Sequence, residues 1–465
     1  MIYQRTLAKK VQVTGIGLHS GKKVTLKLHP ALADTGIVFK RIDIADSSDQ
    51  KADANSVGAT DNNTTLGSGK EAIHTVEHLL AALYGLGINN VYCEIDGPEV
   101  PIMDGSSAPF VKAIKEIGTV EQAAERQYLV IESNVTYSEP DRHVDMIAMP
   151  YDSDTRMTVM IDYNSPVLGS QHASITGMEQ FDEQISSSRT FCFLHELEAL
   201  SKANLIKGGD LENAIVIVDR TVEEHELDDL AKLLGKEKVA VKEEGILNNV
   251  DLRHQNEPAR HKLLDLIGDL ALVGVPIKGH LMAARPGHAA NIEFAKKLKK
   301  LWLQQKKNPP APKYDPNKTP VFTNQDIQNI LPHADPFIMV DKVIELSESH
   351  IVGIKNTTID QPFFKGHFPG NPVMPGVLQI ETMAQTGGVM ILSNKEDPQN
   401  YDTYFMKIDN CKFKEKVVPG DTMIIKAKLT QPIRRGICSM HCKIFVGEKL
   451  VTEADLMAAV VKRNK

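Results

Sequence analysis

Apolar and polar residues alternate near the start of the chain, in Gln12-Val13-Thr14 and again in Val24-Thr25-Leu26-Lys27-Leu28. A period of two predicts strands. The spacing then becomes helical over residues 72–84, with Gly85 and Gly87 as stop signals. A strand at residues 90–95, a turn at Asp96-Gly97-Pro98 and a helix over residues 108–115 complete one cycle. A second cycle opens at Gln127-Tyr128-Leu129-Val130-Ile131, with helices at about 192–206 and 257–273. Two similarly built α+β lobes are expected, at residues 1–120 and 125–303, with a site between them.

Lysine and proline then dominate, from Lys296-Lys297-Leu298-Lys299-Lys300 to Asn308-Pro309-Pro310-Ala311-Pro312-Lys313. Proline stiffens a segment that has no core and lysine keeps it solvated, so residues 304–320 read as a linker. Beyond it, Phe337-Ile338-Met339-Val340-Asp341 and Ile351-Val352-Gly353-Ile354-Lys355 predict strands. Residues 376–393 predict a helix that is apolar nearly all round. Such a helix must be enclosed by the rest of its domain, here residues 321–465. The expected fold class is α+β: a two-lobed α/β sandwich, then a central helix wrapped by antiparallel sheet.

Composition narrows the possible functions. At 465 residues the chain is too long for a single core. A net charge of -7 argues against nucleic-acid binding, which needs a basic face. Cys93, Cys192, Cys411, Cys438 and Cys442 are scattered and odd in number, as expected of reduced thiols. The opening residues lack an apolar signal core and no run of eighteen apolar residues occurs, so a soluble, cytoplasmic protein without a membrane span is expected.

Two groups of residues carry chemistry. His74-Thr75-Val76-Glu77-His78 falls in the first predicted helix, and His261-Lys262-Leu263-Leu264-Asp265 with Asp269 in a later one. Spacing of four places His261 and Asp265 on one helical face, where both reach a single cation. Two ligands from one helix and a third from elsewhere leave the open position of a catalytic zinc. Glu77, about 100° round the helix from His78, suits the proton of an attacking water. The string His-x-x-Glu-His also matches an inverted zinc-peptidase motif, in which His74 and His78 would both bind metal. His288 lies in the glycine-flanked loop Arg285-Pro286-Gly287-His288.

Five ordered motifs resemble one family: Thr14-Gly15-Ile16-Gly17-Leu18-His19-Ser20-Gly21, Thr75-Val76-Glu77-His78-Leu79-Leu80, Pro101-Ile102-Met103-Asp104-Gly105-Ser106, Ser188-Arg189-Thr190-Phe191 and His261 to Asp269. Over residues 1–303 the chain resembles the zinc-dependent UDP-3-O-acyl-N-acetylglucosamine deacetylases of lipid A biosynthesis. The resemblance implies His78, His261 and Asp265 as ligands of one zinc ion and Glu77 as general base. It also implies His288 as partner acid oriented by Asp269, Lys262 facing the nucleotide phosphates, Thr190 assisting the oxyanion and Phe191 lining the acyl-chain passage. Whether Glu77 or His288 protonates the departing amine stays open. His74 falls outside this ligand set, and Cys192 stands where a glycine is expected.

The second group is His367, in Phe363-Phe364-Lys365-Gly366-His367-Phe368-Pro369-Gly370, and Glu381, a lone acid on the greasy helix. With the free N–H groups of the helix start at Gly376, they suit removal of an α-proton by His367 and protonation of a leaving β-hydroxyl by Glu381. Leu331-Pro332-His333, Pro336-Phe337, Asn356-Thr357-Thr358 and Met374 to Gln385 resemble the 3-hydroxyacyl-[acyl-carrier-protein] dehydratase family. The resemblance covers residues 321–465 and implies a hot-dog fold, no cofactor, and His367 and Glu381 meeting across a dimer interface. It further implies a hexamer built as a trimer of dimers, and acyl carrier protein as a partner beside the UDP-sugar lipid of the first half. Ala334-Asp335 replaces the basic-aromatic pair expected there. The two resemblances together imply that both halves handle 3-hydroxyacyl chains, which would give their fusion a metabolic logic. The rivals are a zinc peptidase or amidase fused to a hot-dog thioesterase, and a non-catalytic acyl-carrier scaffold.

Overall fold

The computed structural model describes residues 2–61, 63–196, 213–233, 239–242, 245–247, 250–307 and 310–463. The chain forms two compact units, Met1–Leu303 and Gln304–Lys465.

In the first unit, strands β1 (Val11–Ile16), β2 (Lys23–Pro30), β3 (Ile37–Arg41) and β4 (Val91–Ile95) form a mixed sheet in the order β1-β2-β4-β3, extended by Gln50–Lys51. A second mixed sheet has the order β5-β6-β9-β7-β8, from β5 (Val135–Glu139), β6 (Val144–Met149), β7 (Thr155–Asp162), β8 (Ser170–Ile175) and β9 (Ile277–Ala284). Helices α1 (Glu77–Gly85), α2 (Ala108–Ile117), α3 (Glu257–Leu270) and α4 (His288–Lys307) accompany the sheets. Helix α1 packs on α3, and α3 lies on β7 and β8. One core joins both lobes, with Phe39, Leu80, Leu264, Ile267 and Phe294 within it. Full burial of a leucine or isoleucine stabilises by about 1.5–3 kcal/mol, and several such residues offset the polar groups buried beside them.

Helix α3 opens with Pro258 in its first turn, where the missing N–H costs nothing. It has almost no exposed face: Leu263, Leu264, Asp265, Leu266, Ile267, Gly268 and Asp269 are all buried. The reason lies in Gly268, where a Cβ would sit 2.1 Å from the carbonyl oxygen of Glu77. Only hydrogen at this position lets α3 approach the start of α1 so closely.

Helix α1 begins at Glu77, five residues later than the spacing predicts. Thr75 has a left-handed φ of 58°, and His74 bridges Glu99, accepting from the Val100 N–H and donating to Pro98. His74 and His78 therefore do not share a helix. The helix expected at 192–206 starts two residues later: Phe191–Phe193 is a strand paired in parallel with Ile215–Ile217, residues 194–196 are helical, and residues 197–206 lie outside the described part.

In the second unit, β10 (Lys342–Leu346), β11 (His350–Asn356), β12 (Tyr401–Phe413), β13 (Thr422–Leu429), β14 (Ile437–Val446) and β15 (Lys449–Lys462) form an antiparallel sheet ordered β10-β11-β13-β14-β15-β12. It holds α6 (Gly376–Leu392), preceded in the chain by α5 (Asn324–Ile330), which a Thr323/Asp326 capping box starts. This is the hot-dog arrangement, with Met383, Val389 and Met390 of α6 packed among Met423, Ile425, Ala427 and Ile444 of the sheet.

Residues 337–341 are not a strand. Gln385 of α6 accepts from the Met339 N–H at 2.7 Å and donates to the Phe337 carbonyl at 2.8 Å, taking the backbone groups a neighbouring strand would use. On the opposite sheet face, Val352, Ile354, Ile424 and Phe445 form a small cluster covered by Ala311 and Tyr314. The Lys342 ammonium lies 5.2 Å from the Tyr314 ring centre.

Candidate functional sites

In the first unit, the α1–α3 crossing brings three predicted ligands together. His78 Nε2 lies 3.8 Å and His261 Nε2 3.3 Å from Asp265 Oδ1. One donor atom from each residue falls within 4.8 Å of the others. The two imidazoles stand nearly perpendicular, at 88°. His261 Nδ1 donates to the Ser188 carbonyl at 3.1 Å, which leaves its Nε2 lone pair toward Asp265.

Three buried side chains thus each turn one polar atom toward a common point, and Asp265 Oδ1 and His78 Nδ1 are buried without a hydrogen-bond partner among the described residues. Burial, reinforced by His261, pushes His78 down to about 3 and so keeps it neutral. Burial opposes ionisation of Asp265, but His261 and Lys262 outweigh it and hold the carboxyl below its usual range. Lys262 Nζ sits 3.0 Å from Asp265 Oδ2, and this contact overcomes burial to raise the lysine. Neutral imidazoles, an ionised carboxylate and an unpartnered oxygen suit a divalent cation.

Beside this group, Asp269 accepts from Thr64 Oγ1 at 2.5 Å, His288 Nδ1 at 2.9 Å and Asn291 Nδ2 at 2.9 Å. Burial disfavours the His288 cation, yet Asp269 lifts it to about 9. The free edge of the ring faces the cluster, with Nε2 4.0 Å from Asp265 Oδ2. Glu77 is buried, accepts the Thr64 N–H at 3.0 Å and is pushed by burial to about 8, against the pull of His288. A carboxyl and an imidazole, both raised above their ordinary values, therefore sit near the same point.

Phe191 packs against His261 with ring centres 6.4 Å apart and lies under the Lys262 ammonium at 5.6 Å. Tyr163 meets both Phe191 and Phe193 edge-on. The Thr190 backbone is clamped by Gly105 and Ile215, and its side chain makes no hydrogen bond to the cluster among the described residues. Cys192 lies in the Phe191–Phe193 strand and packs against the cluster that contains Leu194 and Val216. His74 is outside the cluster, with Nδ1 2.9 Å from Thr65 Oγ1, so the peptidase ligand pattern is absent from the described residues. Thr64, Asn291 and Tyr163 were not foreseen; Thr64 and Asp269 lie 205 positions apart, and no local pattern marks such a pair.

In the second unit, Glu381 projects from α6 into an apolar cavity lined by Ala384, Ile391, Met440 and Leu456. Gln385 Nε2 donates to Glu381 Oε1 at 2.8 Å. His367 lies on the loop before α6, where Nδ1 donates to the Val373 carbonyl at 2.8 Å and leaves Nε2 free. It is not among the residues lining the Glu381 cavity of its own chain. Gly376 is the first residue of α6, and a Cβ there would meet the Phe413 ring at 2.7 Å. Tyr404, Phe405, Met406, Ile408 and Phe413 of edge strand β12 are exposed.

Comparison with known proteins follows this division. Residues 4–231 and 232–300 match the family "LpxC: UDP-3-O-acyl N-acetylglycosamine deacetylase", and residues 331–455 match the FabA-like domain. A deacetylase-type unit is thus joined to a dehydratase-type hot-dog unit. The "Bifunctional enzyme LpxC/FabZ" of Chlorobaculum tepidum is 47% identical, with 100% of both chains covered. That of Bacteroides thetaiotaomicron is 45% identical, again covering 100% of both. The "UDP-3-O-acyl-N-acetylglucosamine deacetylase" of Citrifermentans bemidjiense is 40% identical over 64% of this chain and 90% of its own. The chain belongs to the bifunctional LpxC/FabZ family. No helix among the described residues is long and apolar enough to cross a membrane.

Proposed function

We propose that the chain carries two activities: hydrolysis of the N-acetyl group of UDP-3-O-(3-hydroxyacyl)-N-acetylglucosamine in lipid A biosynthesis, and dehydration of 3-hydroxyacyl-acyl carrier protein to the trans-2-enoyl form in fatty acid synthesis. Lobes at residues 1–120 and 125–303 carry the first, residues 321–465 the second, and residues 304–320 connect them. The protein works in the cytoplasm.

The observation that carries the first activity is the unpartnered, ionised Asp265 oxygen facing two neutral histidines. His78, His261 and Asp265 would hold one zinc ion, which supplies a Lewis acid that makes water nucleophilic at neutral pH. Glu77 removes a proton from the water as its oxygen bonds the acetyl carbon. His288, held by Asp269, and Thr190 stabilise the oxyanion that develops. The carbon–nitrogen bond then breaks, the amine takes a proton and acetate departs. Lys262 receives the nucleotide phosphates and Phe191 borders the acyl chain.

In the second unit His367 removes the α-proton of the thioester, N–H groups at Gly376 hold the carbonyl oxygen, and Glu381 protonates the departing hydroxyl as water. No cofactor takes part. His367 and the Glu381 cavity are separate in one chain, which supports a site shared between two copies, and the exposed apolar residues of β12 supply a surface for that pairing. Pairs assemble further into a hexamer.

Metal analysis of the whole protein and of Asp265→Ala tests the reading. About one zinc per chain is expected, lost with deacetylation in the variant, while dehydration continues.

A further inference from the structure

The Leu331-Pro332-His333 segment has no part in the chemistry above, yet His333 lines the same cavity as Glu381. Its Nε2 lies 3.5 Å from Glu381 Oε1. Its ring stacks on Phe337, with centres 6.0 Å apart and planes at 28°. Its Nδ1 is buried and has no hydrogen-bond partner among the described residues.

That last fact sets the proton. A buried N–H without an acceptor is costlier than a buried lone pair without a donor, so the neutral ring carries its hydrogen on Nε2, directed at Glu381. Glu381 Oε1 also receives Gln385 Nε2, whose orientation is locked because Gln385 Oε1 must accept from the Met339 N–H. Oε1 thus accepts from Gln385 and has the His333 Nε2–H 3.5 Å away, longer than a well-formed hydrogen bond, so a proton carried by Glu381 belongs on the other oxygen, Oε2.

We propose that His333 is a positioning residue for dehydration: with Gln385 it fixes the Glu381 carboxyl so that Oε2 presents the proton to the β-hydroxyl of a 3-hydroxyacyl thioester. This rests on the dehydratase reading of Glu381. The stack on Phe337 holds the imidazole, so its loss frees the carboxyl to rotate rather than emptying the binding cavity. A defect in kcat rather than in KM follows.

The test uses the full chain with His333→Ala, His333→Gln, Glu381→Gln and the Glu381→Gln/His333→Ala double variant. His333→Ala is expected to lower kcat for dehydration roughly ten- to a hundredfold, the scale of misplaced catalytic groups, with KM nearly unchanged. His333→Gln, which keeps an N–H donor, should recover most of the loss. The double variant should be no slower than Glu381→Gln alone, because His333 acts only through Glu381. Deacetylation in the same samples should be unchanged. Wild-type kcat in His333→Ala, a defect confined to KM, no recovery with Gln, or an additional loss in the double variant would each overturn the proposal. Full dehydration by Glu381→Gln would instead overturn the dehydratase reading beneath it.

Discussion

Gly268 touches the backbone carbonyl of Glu77 so closely that an added methyl would lie 2.1 Å from the oxygen. One glycine on α3 thereby sets how near Asp265 and His261 come to His78. Gly268→Ala must push the helices apart, and overpacking of this kind costs typically about 1–3 kcal/mol. The expected result is loss of bound metal and of deacetylation, with dehydration intact, measured on the whole chain.

Arg189 and Glu257 form a buried pair, with Nε 2.9 Å from Oε1, that ties the Ser188–Phe191 segment to the start of α3. Burial opposes ionisation of Glu257, but Arg189 overcomes it and holds the carboxyl below its usual range. The folded form therefore binds the Glu257 proton less readily than the unfolded chain. Its stabilisation is complete above the unfolded value of about 4.3 and fades as pH falls toward the lower folded value. Thermal unfolding of the first unit should weaken in that acid window. Glu257→Gln should flatten this dependence and, by leaving Arg189 unpaired, cost about 3–5 kcal/mol at neutral pH.

Tyr314 and Ala311 cover Val352, Ile354, Ile424 and Phe445, so the end of the connecting segment is a strap on the hot-dog sheet rather than a free tether. In Tyr314→Ser, limited trypsin digestion should cut after Lys313 several-fold faster than in the wild type. Equal rates would show that the strap does not hold the segment down.

The exposed residues of β12 give a third handle on the second unit. Phe405→Asp with Ile408→Asp should yield monomers in sedimentation velocity. If His367 and Glu381 serve one another across copies, dehydration should fall with assembly while deacetylation continues.

How much of this was written in the chain differs between the sites. His261 and Asp265 are one turn apart, and the apolar stripe of α6 announces its own enclosure, so both are visible as local periodicity. The start of α1 was misplaced because Thr75 turns left-handed and His74 is held by the Pro98–Val100 segment, contacts that helical spacing does not encode. Residues 337–341 have strand composition, yet Gln385 takes their backbone groups from more than forty positions away. Thr64 and Asn291 escaped for the same reason, and His333 was visible only as part of a motif: the role of each is defined by a partner distant in sequence. Cys192, where a glycine was expected, lies in a strand paired with Val216.

The most direct test is to assay both reactions on full-length Glu77→Ala and Glu381→Ala proteins. Glu77→Ala should abolish deacetylation and spare dehydration, and Glu381→Ala should do the reverse. A chain in which either substitution silenced both reactions, or neither, would not contain two separate reaction centres.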